Sequence, residues 1–291
     1  MAARASSLIW RGEARESRDL FETALEGLRA IASEPPATLA FQHPCVGALS
    51  YLAFANWYLG DTEVAMERSR ESVKLADDLD HPFSRAFAYV FDAALKTYLG
   101  LRDEARKSAE QSFVISSRFG FPFWLNVSRV LSGWAMAPTD VDEAIEQMRG
   151  GLNALQSAGV RIWTAYPSAL LAQLLRDAGR PDEALELLDA VVNRNRSNGE
   201  GFLLPEILRL RARQLDALDR HTEAAADRKE AVQLAQQQGA RPILLRVLMD
   251  VIQTEDRPDP ALRDLLRTTA DGYDDRLNLA DVTAARRLLA T

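Results

Sequence analysis

Three histidines, one cysteine and a set of arginine–glutamate neighbours are the side chains with the most obvious chemistry in this 291-residue chain. Cys45 lies two residues from His43, with Pro44 between them. A thiolate–imidazole pair would need a third group to orient the imidazole, and none is visible nearby in sequence. Cys45 therefore reads as a structural cysteine near a helix start. His43, His81 and His221 are far apart and all fall near expected helix ends, where a capping or solvated role suits them better than metal ligation. No Gly-x4-Gly-Lys-Ser/Thr, Gly-x-Gly-x-x-Gly, His-Glu-x-x-His or Cys-x-x-Cys run occurs, so no phosphate loop, dinucleotide fingerprint or zinc motif is recognisable. Carboxylate pairs such as Asp77-Asp78 and Asp274-Asp275 point to different sides of a helix and read as solvated. The expectation is a chain that binds, with no catalytic residues, cofactor or metal.

Glu206, Arg209 and Arg213 form a more specific constellation. Arg209 and Arg213 are one helical turn apart and share a face, and Glu206 precedes Arg209 by three residues. A guanidinium held by such a glutamate loses less entropy on binding and presents a planar fork to a carboxylate or phosphate. With Trp57, Asn126, Arg129, Tyr166, Gln173 and Arg176 these residues make up a candidate groove. Trp57, Trp124, Trp134 and Trp163 lie at or near the same elements, where a tryptophan is usually packed between neighbouring units.

The elements that would position them repeat. Gly60, Gly100, Thr139, Gly179 and Asp219 each precede an alanine by five residues: Ala65, Ala105, Ala144, Ala184 and Ala224. Ala53, Ala93, Ser132, Ala172 and Ala212 run in phase with them. So do Asp80, Gly120, Gly159, Gly199 and Gly239. A shared period of about 40 residues defines stacked helix pairs. Small residues let two antiparallel helices approach closely, and glycine ends a helix in the left-handed conformation without a Cβ penalty. Asp61, Asp103, Asp140 and Asp182 fall in first turns, where negative charge complements the helix dipole.

The predicted fold is an all-α, tetratricopeptide-like solenoid, a right-handed superhelix of antiparallel pairs, with HEAT-like packing as the structural alternative. Residues 1–43 read as a partial N-terminal repeat and loop, with a lone amphipathic helix over 13–32 and Pro35, Pro36 and Pro44 in the loop. Residues 44–270 read as six helix pairs. Residues 271–291 read as a C-terminal cap with Leu279, Val282 and Leu289 on one side and Asp281, Arg286 and Arg287 on the other. Leu8, Ile9 and Trp10 read as the end of a first helix whose earlier turns are absent, exposing an apolar face suited to a partner or to self-association.

The net charge of −7 disfavours a nucleic-acid partner or an anionic membrane. No run of about 18 apolar residues occurs, and no apolar stretch follows Arg4 and Arg11 as in a secretory signal. One cysteine permits no intramolecular disulfide, so the expected location is the cytoplasm. The 31 arginines against 4 lysines point to a GC-rich bacterial genome.

The runs His81-Pro82-Phe83-Ser84, Gly120-Phe121-Pro122-Phe123-Trp124, Ser132-Gly133-Trp134-Ala135 and Glu206-Ile207-Leu208-Arg209-Leu210 occur in the order of one known region. Over residues 12–291 the chain resembles the C-terminal tetratricopeptide region of bacterial STAND-ATPase signalling proteins of the class III cyclase or transcriptional-regulator type. In those proteins the enzymatic domains lie upstream, and no counterpart of them is expected within these 291 residues. The resemblance implies an interaction or sensor array. Its partner would be a polypeptide, such as a separate signalling ATPase or cyclase, gripped by the groove or an end face. Alternatives are a small-molecule effector bound inside the superhelix and, more remotely, an enzyme with an unrecognised site.

Overall fold

The structure is a computed structural model that describes residues 1–31, 41–255, 259–274 and 279–290. Among the described residues it contains only helices: α1 (Ala2–Trp10), α2 (Ala14–Ile31), α3 (Pro44–Leu59), α4 (Thr62–Asp78), α5 (Pro82–Tyr98), α6 (Arg102–Phe119), α7 (Pro122–Met136), α8 (Val141–Ser157), α9 (Ala165–Asp177), α10 (Pro181–Asn198), α11 (Leu204–Ala217), α12 (His221–Gln238), α13 (Arg241–Thr254), α14 (Pro260–Asp271) and α15 (Ala280–Ala290). They stack as antiparallel pairs in a tetratricopeptide-like solenoid. Pro35 and Pro36 lie outside the described residues.

Helix starts and stops follow from local chemistry. His43 and His81 cap α3 and α5: each imidazole Nδ1 accepts from a backbone amide, Cys45 N and Ser84 N respectively, and a proline follows at the first helical position. Asp140 caps α8 by accepting from Glu143 N at 3.0 Å. Asp80 and Asp219 occupy left-handed positions that glycine holds in the neighbouring units. The alanines at 65, 105, 144, 184 and 224 are fully buried, as are Ala53, Ala93, Ala172 and Ala212.

The third unit departs from the expected register. Gly133, not Ser132, lies where α7 packs tightly on α8, and a β-carbon there would stand 2.8 Å from Met148 Cγ. The unit's missing residue therefore falls in the α7–α8 turn, where Thr139 does not take the left-handed conformation its series predicts. Every α7 position is thus one residue further along than the sequence series assigns.

The N-terminal segment also departs from expectation. α2 is not alone: α1 precedes it and pairs with it, joined by Ser17 Oγ donating to Ala5 O at 2.8 Å. Leu8 and Ile9 are buried, and Trp10 packs edge-on against Trp163 and Phe202 with centroids 5.5 and 5.6 Å away. The apolar surface on which self-association was expected is covered by the chain's own later repeats.

That contact closes the superhelix on itself. Gly201 N and Phe202 N both donate to Trp10 O, at 2.9 and 3.0 Å. Tyr58 Oη bonds Gln238 Oε1 at 2.6 Å, and Arg246 Nη2 donates to Tyr98 O at 2.7 Å. Inside the seam lies an aromatic cluster: Phe54 stacks on Phe91 at 4.7 Å, Tyr58 meets Phe202 at 4.9 Å, and Trp163 meets Phe91 at 4.9 Å. Trp163 and Leu203 enter it with φ of 71° and 63°, a conformation that costs a bulky side chain of order 1–3 kcal/mol and persists only where packing over-determines it.

Candidate binding site inside the superhelix

Beside the aromatic seam the inner surface opens into a cavity of about 290 Å³. Its walls come from the ends of α5 and α7, the start of α6, and from α9, α11, α13 and α15. Of the nine groove candidates, the structure brings Tyr166, Gln173, Glu206, Arg209 and Arg213 together here.

The other four are elsewhere. Trp57 is 1% exposed and stacks on Tyr98 at 4.7 Å, so it belongs to the core. Asn126 bonds its own helix through Pro122 O, and Arg129 lines a different groove between α6 and α8. Both follow from the one-residue register shift in α7, which puts Val127 and Val130 at the positions that Tyr166 and Ala169 occupy in the next unit. Arg176 pairs with its neighbour Asp177.

The floor of the cavity is an ionic network. Glu206 and Arg209, only 2% and 7% exposed, make a two-pronged pair at 2.8 and 2.9 Å. Arg209 Nη1 also donates to Asp250 at 2.9 Å. Arg246 lies 3.5 Å from Glu206 and bonds Asp281 at 2.6 Å. Burial would raise the Glu206 pKa, but Arg209, Arg246 and Arg213 outweigh it and hold the carboxyl at about 2. Burial, with Glu206 nearby, pushes the Tyr166 hydroxyl well above its usual range, so it is a neutral donor at physiological pH.

Arg209 is therefore not the displayed fork that its spacing implied. Its guanidinium is already engaged by Glu206 and Asp250, and a charge change there would strike the core. Arg213 is exposed at the rim and meets no carboxylate among the described residues. Opposite it, Arg102 sits 4.1 Å above the Trp134 ring and donates to Trp134 O, also without a carboxylate partner among the described residues. Burial lowers its pKa. Arg213 and Arg102, neither paired with a carboxylate among the described residues, stand over a floor whose three acids and two arginines sum to −1, so the lining carries a formal +1, suited to an anionic group.

Arg102, Arg246, Asp250 and Asp281 were missed in the sequence. Two signals could have found the arginines. Tyr166, Glu206 and Arg246 are separated by 40 residues each and so occupy one position in successive units. Arg102 is a cation in the first turn of α6, where the helix dipole disfavours it unless something else holds it. Asp281 and Arg286, expected on the solvated side of the cap, turn inward: Asp281 to Arg246, Arg286 to the carbonyls of Ala270 and Tyr273.

The remaining chemistry is structural. Cys45 is buried among Phe21, Leu25 and Leu49, which pushes its thiol pKa up. His221 faces Asp216 at 3.2 Å. Among the described residues no three His, Cys, Asp or Glu side chains are placed to hold a metal, and no helix is long and apolar enough to cross a membrane.

No protein-family model matches the chain. It is 26% identical over 241 residues to an uncharacterised protein of Rhizobium meliloti (strain 1021), a match covering 81% of this chain and 23% of that protein. The chain thus spans less than a quarter of that relative's length. Among solved structures it is similar to a Rap protein complexed with Competence and Sporulation Factor, with a TM-score of 0.62, 10% identity, and coverage of 99% of this chain and 95% of that one. It is also similar to BtubC from P. vanneervenii, with a TM-score of 0.53, 17% identity, and coverage of 85% and 94%. These likenesses establish the fold: an all-α solenoid of tetratricopeptide type.

Proposed function

We propose that this chain is a protein-interaction module of a bacterial signalling or regulatory system that grips an acidic segment of a polypeptide partner in the inner cavity. The observation that carries the reading is the exposed, uncommitted guanidinium of Arg213 above the buried Glu206–Arg209–Asp250 network, opposite Arg102. A network already satisfied internally keeps its geometry whether or not the partner is present, so little ordering entropy is lost on binding. The Rap protein held with Competence and Sporulation Factor is a precedent for a chain of this fold holding a factor. The sequence resemblance to STAND arrays supports a signalling ATPase or cyclase as the partner, in the cytoplasm. The seam ties α1 to the α10–α11 turn and α3 to α12 and α13, so the chain acts as one unit in this reading, with no catalysis of its own.

A second reading, a small-molecule effector bound inside the superhelix, is favoured by the aromatic seam. It blocks the inner channel beside the cavity and leaves a volume just below the usual range for small-molecule sites, roughly 300–1,000 Å³.

The test is capture from the native host with the wild-type chain and with Arg213→Glu as baits, followed by titration of the recovered protein. A partner that binds wild type and loses at least about tenfold in affinity with Arg213→Glu supports the first reading. Equal affinity for both baits would move the interface off this cavity.

A further inference from the structure

Closure of the superhelix creates a second cavity, of about 560 Å³, on the other side of the seam. Its walls come from elements far apart in sequence: α2, the α3–α4 turn, the end of α12, the start of α13 and the end of α14. In a chain of net charge −7, three arginines line it, Arg15, Arg18 and Arg241, against a single acid, Asp61.

The three cations differ in how far they are committed. Arg18 donates to Asp61 Oδ2 at 3.0 Å. Arg241 donates to the Gly272 carbonyl at 3.2 Å and lies 5.8 Å from the Tyr273 ring, but meets no carboxylate among the described residues. Arg15, one turn before Arg18 on the same face of α2, is exposed and also meets no carboxylate among the described residues. Arg241 opens α13, so the positive end of that helix adds to the field. Leu59, Leu244 and Ala235 supply an apolar wall.

From this arrangement we propose that the seam cavity binds a phosphate monoester of a small metabolite. The lining carries a formal +2, which complements the charge of about −1.5 to −2 on a phosphate monoester near pH 7. Arginine forks from two sides suit its several oxygens better than the two of a carboxylate. The volume, within the roughly 300–1,000 Å³ of small-molecule sites, leaves room for a carrier group against the leucines. Because Arg15 and Arg241 belong to opposite ends of the solenoid, the ligand would bridge the seam and stabilise the closed superhelix by mass action. The site shares no residue with the inner cavity, so its test stands apart from that of the partner.

The experiment is calorimetric titration of the full chain in chloride buffer with AMP, inorganic phosphate and adenosine. AMP should bind saturably with one site per chain, inorganic phosphate should compete with it, and adenosine should not bind. Arg15→Gln, which removes an exposed side chain and leaves the fold intact by circular dichroism, should weaken AMP by about tenfold. Arg213→Gln, in the inner cavity, should leave AMP binding unchanged. The proposal is overturned if neither AMP nor phosphate saturates, if adenosine binds as well as AMP, or if Arg15→Gln keeps wild-type affinity.

Discussion

Glu200, in the turn before α11, and Glu206, in its first turn, stand six residues apart, both more than nine-tenths buried, and their carboxyls respond in opposite ways. Glu200 faces the aromatic seam beside Trp10, Trp163 and Phe202, and its Oε2 has no hydrogen-bond partner. Burial, only partly offset by Arg194, raises its pKa to about 7. Glu206 faces the ionic cavity, where three arginines overcome burial and hold it at about 2. The same row of first helices thus carries two chemistries. One is dry and closes the superhelix; the other is charged, its buried arginines and carboxylates paired with one another, and keeps cations at its rim for something outside. A repeat fold permits this because each unit fixes backbone geometry while leaving the inner side chains free to differ.

Removing the centre of the ionic region should produce the largest effect. Glu206→Gln leaves Arg209 and Arg246 short of a buried negative partner, and breaking a buried pair in this way costs about 3–5 kcal/mol. Chemical denaturation should show that loss. A loss below about 1 kcal/mol would mean the arginines reach water and the region is not a closed network.

The dry region breaks more simply at Gly201. A β-carbon there would lie 2.2 Å from the Arg11 carbonyl oxygen, so Gly201→Ala should push the N-terminal pair off the seam. The expected cost is about 1–3 kcal/mol. Amide exchange in α1 should speed up, while α6 and α8, which contribute no residue to the seam's aromatic cluster, stay protected. Unchanged protection of α1 would show that the closure does not depend on this contact.

The smallest effect separates the rim of the ionic region from its floor. Arg213→Ala should change stability by no more than about 0.5 kcal/mol, because the side chain is exposed and meets no acid among the described residues. A thermal melt comparing it with Glu206→Gln checks this directly. A large loss for Arg213→Ala would remove the distinction on which the proposed partner site rests.

The pairs were legible because small residues, glycines and first-turn acids recur every 40 residues for reasons local to each unit. The Glu206–Arg209 pair was legible too, since three residues on a helix make neighbours. What the pattern could not carry is closure. Trp10 with Gly201, or Tyr58 with Gln238, meet only when the superhelix completes its turn, and a periodicity reports contacts between successive units alone. That blindness made Leu8, Ile9 and Trp10 look unpartnered, whereas Arg209 looked exposed because its second acid, Asp250 in the next unit, was not recognised as facing it. Arg129 was misplaced for another reason: a one-residue deficit that lies between Gly120 and Ala144 was assigned before Ser132 instead of after Gly133.

The opposed behaviour of the two glutamates is tested most directly by folding stability against pH for wild type, Glu200→Gln and Glu206→Gln, from pH 2 to 8. Starting from the ordinary value of 4.5, the raised pKa of Glu200 makes its contribution full below 4.5 and lost as pH climbs through 7. Glu200→Gln should therefore gain on wild type across that window and level off above it. The depressed pKa of Glu206 makes its contribution full above 4.5 and lost as pH falls toward 2, so the deficit of Glu206→Gln should shrink over that acid window. Two differences that move in separate windows with opposite signs are the predicted result. Flat differences, or two that move together, would contradict the division of the inner surface into a dry seam and an ionic cavity.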